Sequence, residues 1–166
     1  MNELMIYQVF PLRALTDGQP SHGILEMIDW IPHIKKFRNE CSIFSPVFSS
    51  SDHGYDTKDY QKIDERLGTN EDFKKMCDAM HEEGIQVILD GVFNHVGREF
   101  FAFEDVREKK WDSPYKDWFY INFDGNSCYD DGFWYEGWEG HFELVKLILT
   151  TNRLEIIYRI CRNMDR

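Results

Sequence analysis

Three short apolar runs, separated by two stretches of helical spacing, restrict the fold of this chain more than anything else in its sequence. Residues 4 to 10 (Leu-Met-Ile-Tyr-Gln-Val-Phe) stop at Pro11, and residues 42 to 48 (Ser-Ile-Phe-Ser-Pro-Val-Phe) end near Pro46. Ile85 to Val92 contains Val87-Ile88-Leu89, an unbroken run that fits a parallel strand covered on both faces. Between the first two runs, Ile24, Met27, Ile28, Ile31 and Ile34 recur at helical spacing, with Glu26, Asp29, His33 and Lys36 opposite. Ser21 is placed to cap this helix, and Pro32 predicts a kink near Ile28 to Ile31 because it lacks an amide and crowds the preceding turn. A polar loop is predicted from Ser49 to Gly68. Then Thr69 or Asn70 caps a second helix, Glu71 and Asp72 favour its positive end, Phe73, Met76, Cys77 and Met80 form its stripe, and Gly84 stops it. Strand, helix, strand, helix, strand predicts a right-handed βαβαβ series in an α/β fold.

After Asn94-His95 the texture changes. Residues 96–142 hold 15 of the chain's 26 aromatic residues with no sustained period, which predicts a small irregular subdomain whose rings mostly form a core, a sugar-stacking surface being the alternative. Residues 152–164 return to helical spacing (Leu154, Ile157, Tyr158, Cys161, Met164), with Asn152 and Glu155 placed like a capping box. The expected partition is 1–95, 96–147 and 148–166.

Among these 166 residues, 42% are hydrophobic, which excludes disorder as the main state. A net charge of -11 without a Lys/Arg run argues against a nucleic acid or an acidic membrane as partner. The opening Met1-Asn2-Glu3-Leu4-Met5-Ile6-Tyr7 has an acid where an export signal needs a base, and no apolar stretch is long enough for a bilayer. Cys41, Cys77, Cys128 and Cys161 are widely spaced without a C-x-x-C pair, so the expectation is four free thiols in the cytoplasm.

The chemistry concentrates in Asp90-Gly91-Val92-Phe93-Asn94-His95. A carboxylate closing an apolar strand, followed by an amide and an imidazole, puts polar groups at the carboxyl end of a parallel strand, where α/β folds place their sites. By chemistry alone Asp90 is a buried anchor, a ligand or a base.

This segment resembles the first conserved region of the α-amylase family of glycoside hydrolases (glycoside hydrolase family 13), a pattern of Asp, x, Val, x, Asn, His at the end of the third barrel strand. Ser45-Pro46-Val47-Phe48 is similar to the end of the family's second strand, and Gly54-Tyr55-Asp56-Thr57-x-Asp59-Tyr60 to the following loop. Leu67-Gly68-Thr69, with Phe73 after it, resembles the opening of the next helix. Tyr135-Glu136-Gly137-Trp138, followed by Val145-Lys146-Leu147, resembles the end of the inserted domain in neopullulanase and maltogenic-amylase members. The resemblance covers residues 4 to 147. It implies a partial TIM (β/α)8 barrel of about three βα units, with parallel strands and an irregular inserted subdomain after strand 3. The implied substrate is an α-glucan or maltooligosaccharide.

Position by position, the resemblance makes Tyr55 the aromatic that stacks on the sugar at the cleavage subsite. His95 becomes the imidazole that hydrogen-bonds the sugar's primary hydroxyl, and Asp90 the carboxylate that orders this end of the site. Asp52 matches a position that holds a terminal glucose in some exo-acting members. Asn94 matches a calcium ligand, an oxygen donor suited to a hard cation, so calcium is the one implied cofactor. Asp130, Asp131, Glu136 and Glu139 are expected to form a solvated acidic rim rather than a metal cluster.

The family cleaves with retention of configuration, using a nucleophilic Asp after strand four and an acid Glu after strand five. Neither the Arg-x-Asp nor the Gly-Glu motif occurs after Leu147, so the chain alone is expected to lack turnover and to need the rest of the barrel as partner. Two stretches also depart from the pattern. Residues 37–43 (Phe-Arg-Asn-Glu-Cys-Ser-Ile), back-translated and read one nucleotide later, give L-G-M-S-A-V-F. Restoring one A after Leu147 gives N-T-Y-N-K-Q-A-R-D-Y-L. The expectation is a compensated frame slip at 37–43 and an uncompensated one near 148, against the alternative of a naturally divergent segment. The competing functional readings are a non-catalytic sugar-binding or assembly module and a decayed gene product.

Overall fold

The computed structural model describes residues 5–36 and 41–149. The predicted helix over 152–164, the slip near 148 from residue 150 on, and residues 37–40 of the first slip lie outside the described residues. The chain divides into two compact units: residues 1–49 with 62–91, and residues 50–61 with 92–166.

The first unit is built on a parallel sheet of three strands in the order β1 (Ile6–Val9), β2 (Cys41–Phe44), β5 (Gln86–Leu89). Its register places Ile6 beside Cys41 and Cys41 beside Gln86, and continues to Val9, Phe44 and Leu89. After β1, Pro11 opens the short helix α1 (Pro11–Ala14) at the position where its missing amide costs nothing. Helix α2 (Glu26–Lys36) buries Met27, Ile31 and Ile34 on its predicted stripe and runs on through Pro32 as one element. Ser21 does not cap α2. Its hydroxyl accepts from the Gly23 amide at 3.0 Å and donates to the Arg66 carbonyl, leading the chain into a 3-10 turn over Gly23–Leu25.

Helix α3 (Asn70–Glu82) begins as its sequence predicts. The Thr69 hydroxyl accepts from the Asp72 amide at 3.1 Å, while the Asp72 carboxylate accepts from the Thr69 amide at 3.0 Å, a reciprocal capping box. His22 Nδ1 lies 2.6 Å from the same carboxylate. These bonds, the one from His22 foremost, bring the Asp72 pKa down from 3.8 to about 2. Met76 and Met80 are buried, and Gly84 turns the chain at φ +75°, a left-handed conformation that costs glycine little.

Two sequence expectations need correction. The period of two puts Ile6, Gln8, Cys41, Ile43, Gln86 and Ile88 on one face of the sheet, and there Ile6 and Ile88 are exposed, so the third run is not covered on both sides among the described residues. The predicted loop over 49–68 instead holds a two-stranded ribbon of β3 (Phe48–Ser50) and β4 (Thr57–Ile63). Its strands are too polar to stand out as apolar runs, yet Tyr60 and Ile63 are buried.

In the second unit β6 (His95–Gly97) follows the Asp90–His95 segment, and α4 (Phe101–Lys109) buries Ala102, Phe103 and Val106. β7 (Ile121–Asn122) pairs antiparallel with β8 (Trp134–Tyr135). β9 (Gly137–Trp138) and β10 (His141–Lys146) complete an antiparallel sheet in the order β6, β10, β9. The aromatic residues here are largely core: Phe100, Phe103, Phe119, Phe133 and Tyr135 are buried, and edge-to-face pairs such as Phe103 with Tyr135, at 4.9 Å between ring centres, hold them. Trp111, Tyr120 and Tyr129 are exposed.

Candidate functional site

The turn between β3 and β4 carries Tyr55 and is closed by Asp56. The Asp56 carboxylate, almost wholly buried, accepts from the Asp52 amide at 2.7 Å and from the Gly54 amide at 3.0 Å. Gly54 sits at φ +93°, which lets the chain double back within four residues. The Tyr55 amide donates to His53 Nδ1 at 3.2 Å, and the Tyr55 ring remains 36% exposed.

His95, at the start of β6, is 3% exposed, and its Nε2 lies 3.0 Å from the Tyr55 carbonyl oxygen. Burial lowers its pKa below 6.5, against the opposing effect of that hydrogen bond, so the ring is neutral at pH 7. With Nε2 facing an acceptor, the proton sits there, and Nδ1, which is buried without a hydrogen-bond partner among the described residues, carries the lone pair. The ring also lies against Trp138, 5.0 Å between centres. The segment before it is tied to β4, because the buried Tyr60 hydroxyl donates to the Val92 carbonyl.

The structure thus brings together Tyr55, His95 and the exposed Asp52 in the second unit. Asp90 belongs to the first unit, half-buried at the carboxyl end of β5, where its amide continues the ladder to the Phe44 carbonyl at 2.9 Å. Asn94 is exposed, and its carbonyl accepts from the Leu147 amide at 3.0 Å. Among the described residues no three His, Cys, Asp or Glu side chains converge as metal ligands.

The expected acidic rim is also revised. The Asp131 side chain is buried and receives the two terminal Arg98 guanidinium nitrogens, at 3.0 and 2.8 Å, with Arg107 at 3.3 Å. Arg98 lies 3.8 Å from the centre of the Tyr129 ring and also donates to the Tyr135 hydroxyl. These bonds hold the Asp131 pKa down against the burial that would raise it. Burial raises the Tyr135 pKa to about 12. A cavity of about 220 Å³ is lined by Ser51, Asp56, Arg98, Glu99, Arg107 and Glu143. Asp56 and Arg98 escaped the sequence reading. Asp56 lay inside the quoted Gly54-Tyr55-Asp56 motif, and only its spacing from Asp52 and Gly54 signalled a side chain that bonds nearby main chain.

Comparison with known proteins agrees with the quoted motifs. A model of the α-amylase catalytic domain matches residues 8–152. Neopullulanase 2 of Thermoactinomyces vulgaris is 40% identical over 141 residues, covering 72% of this chain and 24% of that protein. A cyclomaltodextrinase from a Bacillus species is 42% identical over 142 residues, covering 73% and 25%. The chain therefore spans about a quarter of the length of these relatives. Among solved structures, a debranching enzyme from Nostoc punctiforme superposes with a TM-score of 0.80 at 33% identity, covering 95% of this chain and 38% of that one. The cyclic α-maltosyl-(1→6)-maltose hydrolase of Arthrobacter globiformis, in complex with its namesake sugar, gives 0.81 at 28% identity, covering 96% and 41%. The parallel β1-β2-β5 sheet with its intervening helices is the corresponding part of an α/β barrel, and the chain belongs to the α-amylase catalytic-domain family.

Proposed function

We propose that this chain supplies the sugar-binding side of a glycoside hydrolase acting on α-linked glucans or maltooligosaccharides. The observation that carries the reading is the Tyr55 turn. A half-exposed ring stands on a backbone tied at both flanks, with neutral His95 bonded to its carbonyl. A pyranose face offers C–H groups to such a ring, and a rigid platform lowers the entropy lost on binding. Relatives named neopullulanase, cyclomaltodextrinase and maltogenic α-amylase support the substrate class. In this reading Tyr55 stacks on the sugar, His95 and Asp90 order the site, and Asp52 meets a terminal residue. Retaining cleavage needs two carboxylates flanking the bond, and the 166 residues contain no segment matching the family's motifs for them. The chain alone is therefore expected to bind without turnover. The wide spacing of Cys41, Cys77, Cys128 and Cys161, without a C-x-x-C pair, supports a reducing compartment.

Titration calorimetry of the purified chain with maltoheptaose tests this. Saturable binding that is weakened at least about tenfold by Tyr55→Ala supports it, a loss of the size expected for one stacked ring. Absence of binding, or binding indifferent to Tyr55, overturns it, and turnover by the rigorously purified chain overturns the claim of binding alone.

A further inference from the structure

Asp56 stands inside the quoted Gly54-Tyr55-Asp56 motif without an assigned role, yet its carboxylate accepts from two main-chain amides of the Tyr55 turn. Resting on the sugar-binding reading, we propose that Asp56 is a positioning residue, its carboxylate setting the backbone of residues 52–56 and so aiming the Tyr55 ring.

Four observations converge on this. The carboxylate is buried, and each oxygen is occupied by a main-chain amide of the turn, Oδ2 by Asp52 and Oδ1 by Gly54. Hydrogen bonds to a carboxylate are stronger than those between neutral groups, so this one side chain outweighs the other bonds within the turn. Gly54 takes a left-handed φ, and that conformation carries its amide while the chain reverses. On the far side, β6 abuts the Asp56 main chain: a Cβ added at Gly97 would lie 2.4 Å from the Asp56 carbonyl oxygen. Two further bonds, from the Tyr55 amide to His53 and between His95 and the Tyr55 carbonyl, act on Tyr55 itself. Asp56 thus holds the turn from inside, and Gly97 backs it without an intervening side chain. Asp56 also forms part of the wall of the charged cavity with Ser51, Arg98, Glu99, Arg107 and Glu143, so direct contact with a ligand there is the competing role.

A double-mutant cycle on the full chain separates the two roles. Maltoheptaose binding is measured for wild type, Asp56→Asn, Tyr55→Leu and the double variant. Asn keeps one acceptor oxygen and forfeits the other, so Asp56→Asn is expected to weaken binding about tenfold. In the Tyr55→Leu background the same change is expected to add less than about twofold, because a residue that acts through Tyr55 has nothing left to position. Fully additive losses, or unchanged binding in Asp56→Asn, overturn the proposal. Amide hydrogen exchange of the wild-type chain is the second measurement. Asp52 and Gly54 are expected to exchange slowly for turn amides, and fast exchange at both overturns the proposal even if Asp56→Asn fails to fold. If the wild type binds no sugar, the functional reading falls while the exchange result still decides whether Asp56 sets the turn.

Discussion

His95 Nε2 lies 3.0 Å from the carbonyl oxygen of Tyr55, so a buried imidazole is joined to main chain rather than to an acid. Its pKa is depressed by burial, and the unfolded chain takes up a proton near 6.5 before the folded one does. Stability conferred by this neutral ring is therefore present above pH 6.5 and declines as pH falls below it. Urea midpoints measured between pH 7.5 and 5.5 are expected to drop for wild type and to flatten in His95→Gln. A flat wild-type profile would mean that the ring protonates without penalty.

Asp72 works in a different, more acidic window and with the same sign. Its pKa is lowered from 3.8 to about 2, so its contribution is complete above 3.8 and is lost as pH falls through about 2. Asp72→Asn is expected to abolish the part of acid destabilisation that falls between these values. Thr69→Ala, which removes the hydroxyl half of the capping box, is expected to cost about 1 kcal/mol at neutral pH. Chemical denaturation across the pH series reads both.

Arg98 and Asp131 pair with little side-chain exposure, and removing Arg98 leaves the Asp131 carboxylate to Arg107 and the Ser127 hydroxyl, without its two-point partner. Arg98→Met is expected to destabilise the chain by about 3 kcal/mol, the range for a broken buried pair. The double replacement Arg98→Met with Asp131→Leu should recover part of that loss. Thermal unfolding of the three variants checks it, and equal losses in the single and double variants would remove the broken-pair account.

Ser42 sits in the central strand β2 between Tyr7 and Val87, fully buried, and its hydroxyl has no hydrogen-bond partner among the described residues. Such a group carries a desolvation penalty of roughly 1–3 kcal/mol that an apolar side chain avoids. Ser42→Val is expected to stabilise the protein by about 1 kcal/mol in urea titration. The shifted reading of residues 37–43 also places Val at position 42, so a destabilised variant would count against both ideas.

The parallel sheet and its helices were legible in the sequence because burial there follows a period. Met76 and Met80 lie on one stripe of α3, and Thr69 with Asp72 announces its start. The ribbon of β3 and β4 was not legible, since Thr57–Ile63 reads as a polar string and is a strand only through pairing. At the site, Tyr55 and His95 were found through the motif that contains them. Asp56 and Arg98 were passed over because their importance lies in partners that no local pattern reveals, two amides of the same turn for one and Asp131, 33 residues away, for the other. Asp131 looked like one of several surface acids until Arg98 gave it a counterion.

Among the described residues only the middle strand of the β1-β2-β5 sheet is paired on both sides, and Ile6 and Ile88 lie exposed on one face. Outer strands with free backbone edges next to apolar surface are templates for another chain. Concentration therefore becomes an experimental variable for this protein. Sedimentation and light scattering should precede any titration, and calorimetric stoichiometries below one sugar per chain would report the fraction withdrawn into self-association rather than a property of the Tyr55 platform.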